Sequence, residues 1–509
     1  MRTYPFNFEI AFSGLCYPAR VIFIVSFMLF SISCTKQDDH AIKFGLSTAP
    51  VTLDPRYATD AVSERINHLL YRQLVDFDEN YHIVPSLAKW EKITPVHYRF
   101  RLGQEGRKFH NGDYLTADDV KMTYESVLDK KNVSPHRSTL INIERIEIID
   151  PDTIDFYLRA PDTLFPGRLV LGIIPAKLIS SGHLFQASPV GSGPVEFLKW
   201  PIEDHLYLKR VADNQIFEFM TVKDSTVRAL KLVRGEIDMI QGDLPFELLD
   251  WLHDKRNITI EKTEGSTYTY IGFNMQDPVL SDLNIRRAIA YAIDRDAIIK
   301  NVLGNAARKA GTILPAGHWA AHPGLTGYDY DPEKSEELLR QSGYDRNNRL
   351  KLSYKTSNNP LRVRLATIIQ YQLQQVGIDV DVQSYDWGTF YGDIKEGRFQ
   401  MYTLSWVGLN MPDIFHYVFY SSSIPPAGAN RGHYDDPHVD GLIEKAENET
   451  DLEKQAAIYR NLQAYLQDQL PYVSLWYEDV VLARQKDING YTLSTNGGYD
   501  GLLQVKRIH

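Results

Sequence analysis

Three features of the sequence predict an α/β chain built as more than one domain. At 509 residues the chain exceeds what one ordinary core accommodates, so two or three domains are expected. Signals for strands and for helices are mixed from end to end, which fits α/β lobes better than an all-β or all-α chain. No internal repeat or low-complexity tract interrupts that mixture.

Arg2 and Arg20 precede an apolar run, Val21–Ile32. A membrane-spanning helix needs roughly 20 residues, so this run is too short to span and suits the apolar region of a secretory signal. Phe30-Ser31-Ile32-Ser33-Cys34 has the form of a lipobox, although Ser31 stands where Leu is usual. The expected processing makes 1–33 a signal peptide. It leaves Cys34 acylated at the head of a polar tether, 34–40.

Local elements follow from short patterns. Tyr98-Arg99-Phe100-Arg101-Leu102 alternates with period two, as a half-buried strand does. Thr116 with Asp119 three residues on predicts a capped helix start. Ile146–Ile149 and Thr153–Leu158 flank Asp150-Pro151-Asp152, which predicts a hairpin. Asp331-Pro332 and Asp436-Pro437 predict helix starts, with Asp as cap and Pro in the first turn. Thr450-Asp451-Leu452-Glu453 predicts a capping box opening a helix that Pro471 stops.

Composition narrows the function. The formal net charge of -10 argues against nucleic acid or an anionic membrane surface as the main partner. The two cysteines, Cys16 and Cys34, leave nothing downstream for a disulfide framework or a cysteine metal site. No GxSxG, HExxH or Walker A pattern is present, so no enzyme and no cofactor is expected. His318 and His322 have a spacing that suits a metal only on a helix. Pro315, Gly317, Pro323 and Gly324 argue for a loop there, so no metal site is expected. Asp329-Tyr330-Asp331 lacks the Gly and distal Glu of a calcium loop.

A series of motifs then carries a resemblance. TLDP (Thr52–Pro55), PSLAKW (Pro85–Trp90) and YRFRLGQEGRKFHNGDYLTADDV (Tyr98–Val120) open it. PVGSGP (Pro189–Pro194), LKLVRGEID (Leu230–Asp238), YIGFN (Tyr270–Asn274) and IRRAIAYAIDR (Ile285–Arg295) continue it. GYDYDP (Gly327–Pro332), YDWGTF (Tyr385–Phe390) and Tyr434–Ala446 complete it. Together, over about residues 43 to 485, they resemble the extracytoplasmic solute-binding proteins of peptide-type ABC importers.

The resemblance implies a two-lobed periplasmic-binding-protein (Venus-flytrap) α/β fold with an extra subdomain in the first lobe. The first lobe takes 41–270, with the subdomain at about 60–165. The second takes 275–478, and 480–509 returns to the first. Crossings are expected near Tyr268–Asn274 and Leu475–Ala483. The implied partners are a peptide or peptide-like solute and the permease subunits of the transporter. The chain is expected as a monomer in the periplasm or on the outer face of the cytoplasmic membrane, held by its lipid alone.

The resemblance also implies ligand-binding residues. Thr48, Ala49 and Tyr270 are three of them. Tyr402–Asn410 offers a strand ending in Trp and Gly, so Ser405, Trp406, Val407, Gly408, Leu409 and Asn410 are expected to supply backbone contacts and an aromatic wall. Trp387 matches a position where the family uses Trp as a pocket wall; core packing is the alternative for both tryptophans. Peptide binders carry an aspartate three residues after the tryptophan matching Trp406, which grips the ligand's ammonium. This chain has Leu409 there, or Asn410 if the alignment shifts by one. The arginine that dipeptide binders use for the ligand carboxylate falls at Thr356. Arg431 is the candidate replacement, since guanidinium pairs well with carboxylate; a structural arginine is the alternative. A non-peptide ligand, namely a metal chelate, opine, glycan or cell-wall fragment, remains open, as does a sensor or chaperone without a transporter.

Overall fold

The computed structural model describes residues 41–202 and 204–508. The expected signal peptide, Cys34 and the tether lie outside the described residues. One large mixed sheet organises the rest. At its centre, strands Ile258–Phe273 and Tyr472–Gln485 pair antiparallel along almost their whole length, from Ile258 opposite Gln485 to Gly272 opposite Tyr472. They take in Tyr268–Phe273 and Leu475–Ala483 of the segments expected to cross, with Asn274 just past the first strand. On one side of them the sheet continues through Met239–Gln241, Ile42–Leu46, Ile216–Thr221, His205–Arg210 and Val195–Ile202. On the other it continues through Met401–Trp406, Leu350–Ser357 and Ile378–Tyr385. Helices cover both flanks, which makes each an α/β layer.

The crossing strands are rich in aromatics, and those rings knit them together. Tyr270 stacks on Tyr472 with centroids 3.9 Å apart, and Tyr268 lies 5.9 Å from Tyr477. Aromatic pairs of this kind contribute about 0.5–1.5 kcal/mol each beyond area burial. The ladder is interrupted between Thr263 and Thr267, where Gly265 sits against the partner strand. A Cβ at Gly265 would collide with the Glu478 carbonyl oxygen, so the close approach requires glycine here.

A separate four-stranded sheet, in the order Ala88–Thr94, His97–Leu102, Thr153–Leu158, Ile143–Asp150, has its own apolar core. The expected strand around Tyr98–Leu102 and the hairpin across Asp150-Pro151-Asp152 are both here. Helix Ala117–Leu128 starts as expected, with the Thr116 amide donating to Asp119 Oδ2 at 2.8 Å. Asp331 and Asp436 cap their helices, accepting from the amides of Lys334 and His438. One cap differs. Helix Leu452–Gln469 is capped by Asp451, whose Oδ1 accepts from Glu453 and Lys454, and not by Thr450. The carboxylate one residue later reaches two free amides at once, and the Thr450 amide donates to Glu449 instead. Among the described residues, no helix is long and apolar enough to cross a membrane.

Candidate functional site: a cavity with two unlike walls

A cavity of about 360 Å³ opens between residues from the two flanks of the sheet. One wall comes from the second-lobe side, the loop that follows strand Met401–Trp406. Val407, Gly408 and Asn410 line it. Gly408 has φ +69°, in the left-handed region where glycine is unstrained, and this turns the chain off the strand. His318 fixes the loop from behind. Its Nε2 lies 3.2 Å from the Asn410 carbonyl oxygen, and its Nδ1 accepts from the Ala320 amide at 3.0 Å. Burial, only partly opposed by the bond to Asn410, lowers its pKa to about 4, so the ring is neutral. The segment around His318 and His322 is a loop, as its Pro and Gly residues predict. Both nitrogens of His318 are engaged by backbone.

Trp406 stands just behind this wall in an aromatic assembly. Its ring is parallel to that of Tyr270 at 6.5 Å and edge-on to that of Tyr417 at 6.1 Å. Arg431 is 6% exposed, with its guanidinium 4.8 Å from the Trp406 ring centroid and 5.4 Å from that of Tyr391. It donates to the hydroxyls of Tyr270 at 3.1 Å and Tyr391 at 3.2 Å. No carboxylate of the described residues pairs with it. Burial raises the Tyr270 hydroxyl well above its usual pKa, so that oxygen carries no charge for Arg431. Ser405 shares a 2.7 Å hydrogen bond with Thr269, which in turn donates to Glu478.

The other wall belongs to the first-lobe side and mixes charged with apolar side chains, among them Phe77, Leu140 and Leu171. Glu64, Asn67 and His68 come from helix Ala61–Leu70, with Asp76, His136, Arg168 and Asp500 from other segments. His68 Nε2 lies 3.3 Å from Asp500 and 3.6 Å from Asp76. Burial opposes its charge, but the hydrogen bond to Asp500 and the two carboxylates prevail and raise its pKa to about 9. Glu64 is open to solvent yet ringed by protein. That enclosure, with Asp60 nearby, pushes its carboxyl up to about 7.

An ion pair beside the cavity joins the two sides. Arg168 reaches Asp162 at 2.6 Å on its own side and Asp413 at 2.7 Å on the other. Burial raises the Asp413 carboxyl and Arg168 pulls it back down, leaving it above its usual range. Tyr81 and His318 also meet between the walls, with ring centroids 5.1 Å apart.

Of the expected site residues, Val407, Gly408 and Asn410 line the cavity. Ser405 and Trp406 are half-buried behind them, and Trp387 is exposed, stacked on Tyr391 at 5.3 Å. Thr48 is exposed and Ala49 half-buried just past strand Ile42–Leu46. Three others lie off the cavity surface. Tyr270 is fully buried and Leu409 only 4% exposed, both within one apolar cluster, so neither side chain offers a surface to a ligand in this conformation. Arg431, the candidate anion clamp, is off the cavity wall and engaged with tyrosines. Thr356 is buried in its strand. The charged wall was not foreseen. Its only sequence signal is the polar face of 61–70, where Glu64, Asn67 and His68 recur at helical spacing.

Two α/β flanks joined by a pair of long crossing strands, with a cavity enclosed between them, define a binding protein of the two-lobed periplasmic class. The chain belongs to the bacterial extracellular solute-binding proteins, family 5, whose middle-region model matches residues 82–425. It is 26% identical over 472 residues to the dipeptide-binding protein of Escherichia coli (strain K12), covering 84% of this chain and 87% of that protein. Among solved structures, NikZ from Campylobacter jejuni, in complex with Ni(L-His), superposes with a TM-score of 0.81 at 27% identity, over 92% of this chain and 99% of that one. The periplasmic binding protein DppA from Helicobacter pylori, in complex with the peptide STSA, gives 0.81 at 25% identity, over 92% and 98%.

Proposed function

We propose that this chain captures peptides or peptide-like solutes outside the cytoplasmic membrane and hands them to the permease subunits of an ABC importer. The observation that carries this reading is the 360 Å³ cavity held between two walls in a chain of this family. Ligand pockets commonly measure about 300–1,000 Å³, so the space suits a short peptide. The loop 407–410 continues a strand, and its main chain serves an extended ligand in the manner of strand addition. Trp406 and Trp387 supply aromatic surface. Arg431 holds Trp406 in place and makes no direct contact with ligand.

Closure moves 275–478 against 41–270 and 480–509 about the crossing strands. A ligand shifts that balance only by binding the closed form better. The Arg168–Asp413 pair, which spans the walls, is made in the closed form. The chain performs no catalysis and acts as a monomer, tethered through an acylated Cys34. A Cys34→Ala variant then loses fatty-acid labelling; continued labelling refutes the anchor.

A second reading keeps the fold and exchanges the ligand, and the likeness to NikZ favours a metal chelate within it. Mass spectrometry of solutes released by denaturing the purified protein, with metal analysis of the same sample, separates the two. Short peptides support the proposal. Stoichiometric nickel with a small chelator, and no peptide, contradicts it.

A further inference from the structure

We infer that Glu64 and Asn67, on the first-lobe wall, hold the cationic nitrogen of the ligand. The inference rests on the cavity being the ligand site.

The second-lobe loop has no charge to offer an ammonium. Leu409 is apolar and buried, Asn410 is neutral, and Asp413 is taken by Arg168. On the first-lobe wall, Asp76 and Asp500 are both engaged by His68. Arg168 is held between Asp162 and Asp413. Arg65, beside Glu64 in sequence, has its guanidinium 5.6 Å from the Tyr499 ring centroid. That leaves Glu64 as the one acidic cavity residue that, among the described residues, has neither an ion pair nor a side-chain hydrogen bond.

Asn67 supplies the independent observation. It lines the cavity, is 5% exposed, and its Oδ1 is buried without a hydrogen-bond partner. Its Nδ2 donates weakly to the Thr52 carbonyl at 3.5 Å, which fixes the amide's orientation. A buried acceptor left unpaired is costly, and a ligand N–H is what would satisfy it. Residues three apart on a helix lie about 5–6 Å apart at Cβ, so a small shift of the covered Asn67 side chain brings its Oδ1 and Glu64 within reach of one ammonium. A primary ammonium has three N–H donors, enough for the Glu64 carboxylate and Asn67 Oδ1 together. His136 Nε2, also on this wall, is a further buried atom without a partner. Burial, with Asp60 nearby, raises the Glu64 carboxyl to about 7 against the smaller opposing pull of Arg65. The chemical class is therefore a primary ammonium, such as a free peptide N-terminus. A quaternary nitrogen has no N–H to donate.

The test uses the full chain, wild type and Glu64→Gln, freed of solute by unfolding and refolding. Each is equilibrated with an equimolar mixture of free and N-acetylated di- and tripeptides, simple primary amines, and amine-free carboxylic acids. Retained solutes are identified by mass spectrometry after gel filtration. Wild type is expected to retain free-ammonium solutes at least tenfold over their acetylated forms. E64Q is expected to lose that preference, and Glu64→Asp to keep part of it. Equal melting temperatures establish that the variants fold, and partial retention by E64D shows that the carboxylate itself matters. Equal retention of free and acetylated peptides by wild type, or undiminished preference in E64Q, overturns the inference while peptide binding stands. Retention of simple amines but no peptides refutes the peptide reading and leaves Glu64 assigned. Retention of nothing refutes both.

Discussion

The two walls of the cavity are built on different physics. The second-lobe wall is a strand end turned by a left-handed glycine, with a tryptophan and a buried arginine behind it. The first-lobe wall sets ionisable side chains, on a helix and its neighbours, among apolar ones such as Phe77, Leu140 and Leu171. A main-chain wall binds any extended ligand in register and is indifferent to its side chains. A charged wall reads the ligand's ends. Under the proposed function, general grip falls to one side and discrimination to the other.

The sharpest way to break this contrast is to remove the ion pair beside the cavity. Asp413→Ala leaves Arg168 with Asp162 alone. Losing a charged, mostly buried hydrogen bond costs about 1.5–3 kcal/mol. The cost falls on the closed form, so peptide affinity is expected to drop about tenfold or more. Small-angle scattering of the peptide-saturated protein is expected to show a larger radius of gyration than wild type. An unchanged affinity and an unchanged profile contradict the role given to this pair.

A smaller effect tests the second-lobe wall alone. Arg431→Met keeps length and removes the cation behind Trp406. A cation–π contact is worth about 0.5–2 kcal/mol, and that support is lost. Peptide affinity is expected to fall about fivefold, with a shift in tryptophan fluorescence, while the preference for a free ammonium persists. If R431M abolishes binding of carboxylate-bearing ligands yet spares their amides, Arg431 is an anion clamp after all.

The smallest effect concerns the first-lobe wall and pH. His68 has a folded pKa of about 9 against an ordinary value of 6.5. The folded state binds that proton more tightly, so the contribution is complete below about pH 6.5 and fades as pH rises through 9. Melting temperature from pH 6 to 10 is expected to decline more steeply in wild type than in His68→Gln. Parallel curves refute the pairing of His68 with Asp76 and Asp500.

The same contrast explains what the sequence made legible. The second-lobe wall lies in one continuous segment, 402–410, whose strand pattern, Trp406 and Gly408 let the family resemblance reach it. The segments expected to cross, Tyr268–Asn274 and Leu475–Ala483, came from the family resemblance, which matches local runs of this kind. The first-lobe wall is assembled from 64–76, 136, 168 and 500, and no local pattern joins those positions. The burial of Tyr270, Leu409 and Arg431 was equally hidden, since each is covered by side chains distant in sequence. Arg431 meets Tyr270 across 161 positions of chain. The cap at Asp451 was missed by one residue because Thr450 and Asp451 are both good cap residues, and only geometry ranks them.

The central claim is that ligand sits between these two walls, and covalent capture tests it most directly. A peptide bearing a diazirine side chain is bound to the full chain, irradiated, and the adduct mapped by mass spectrometry. The account predicts label within 61–77 and 405–411, competed away by unlabelled peptide. Competable label confined to segments off the cavity, with both walls clean, would contradict it.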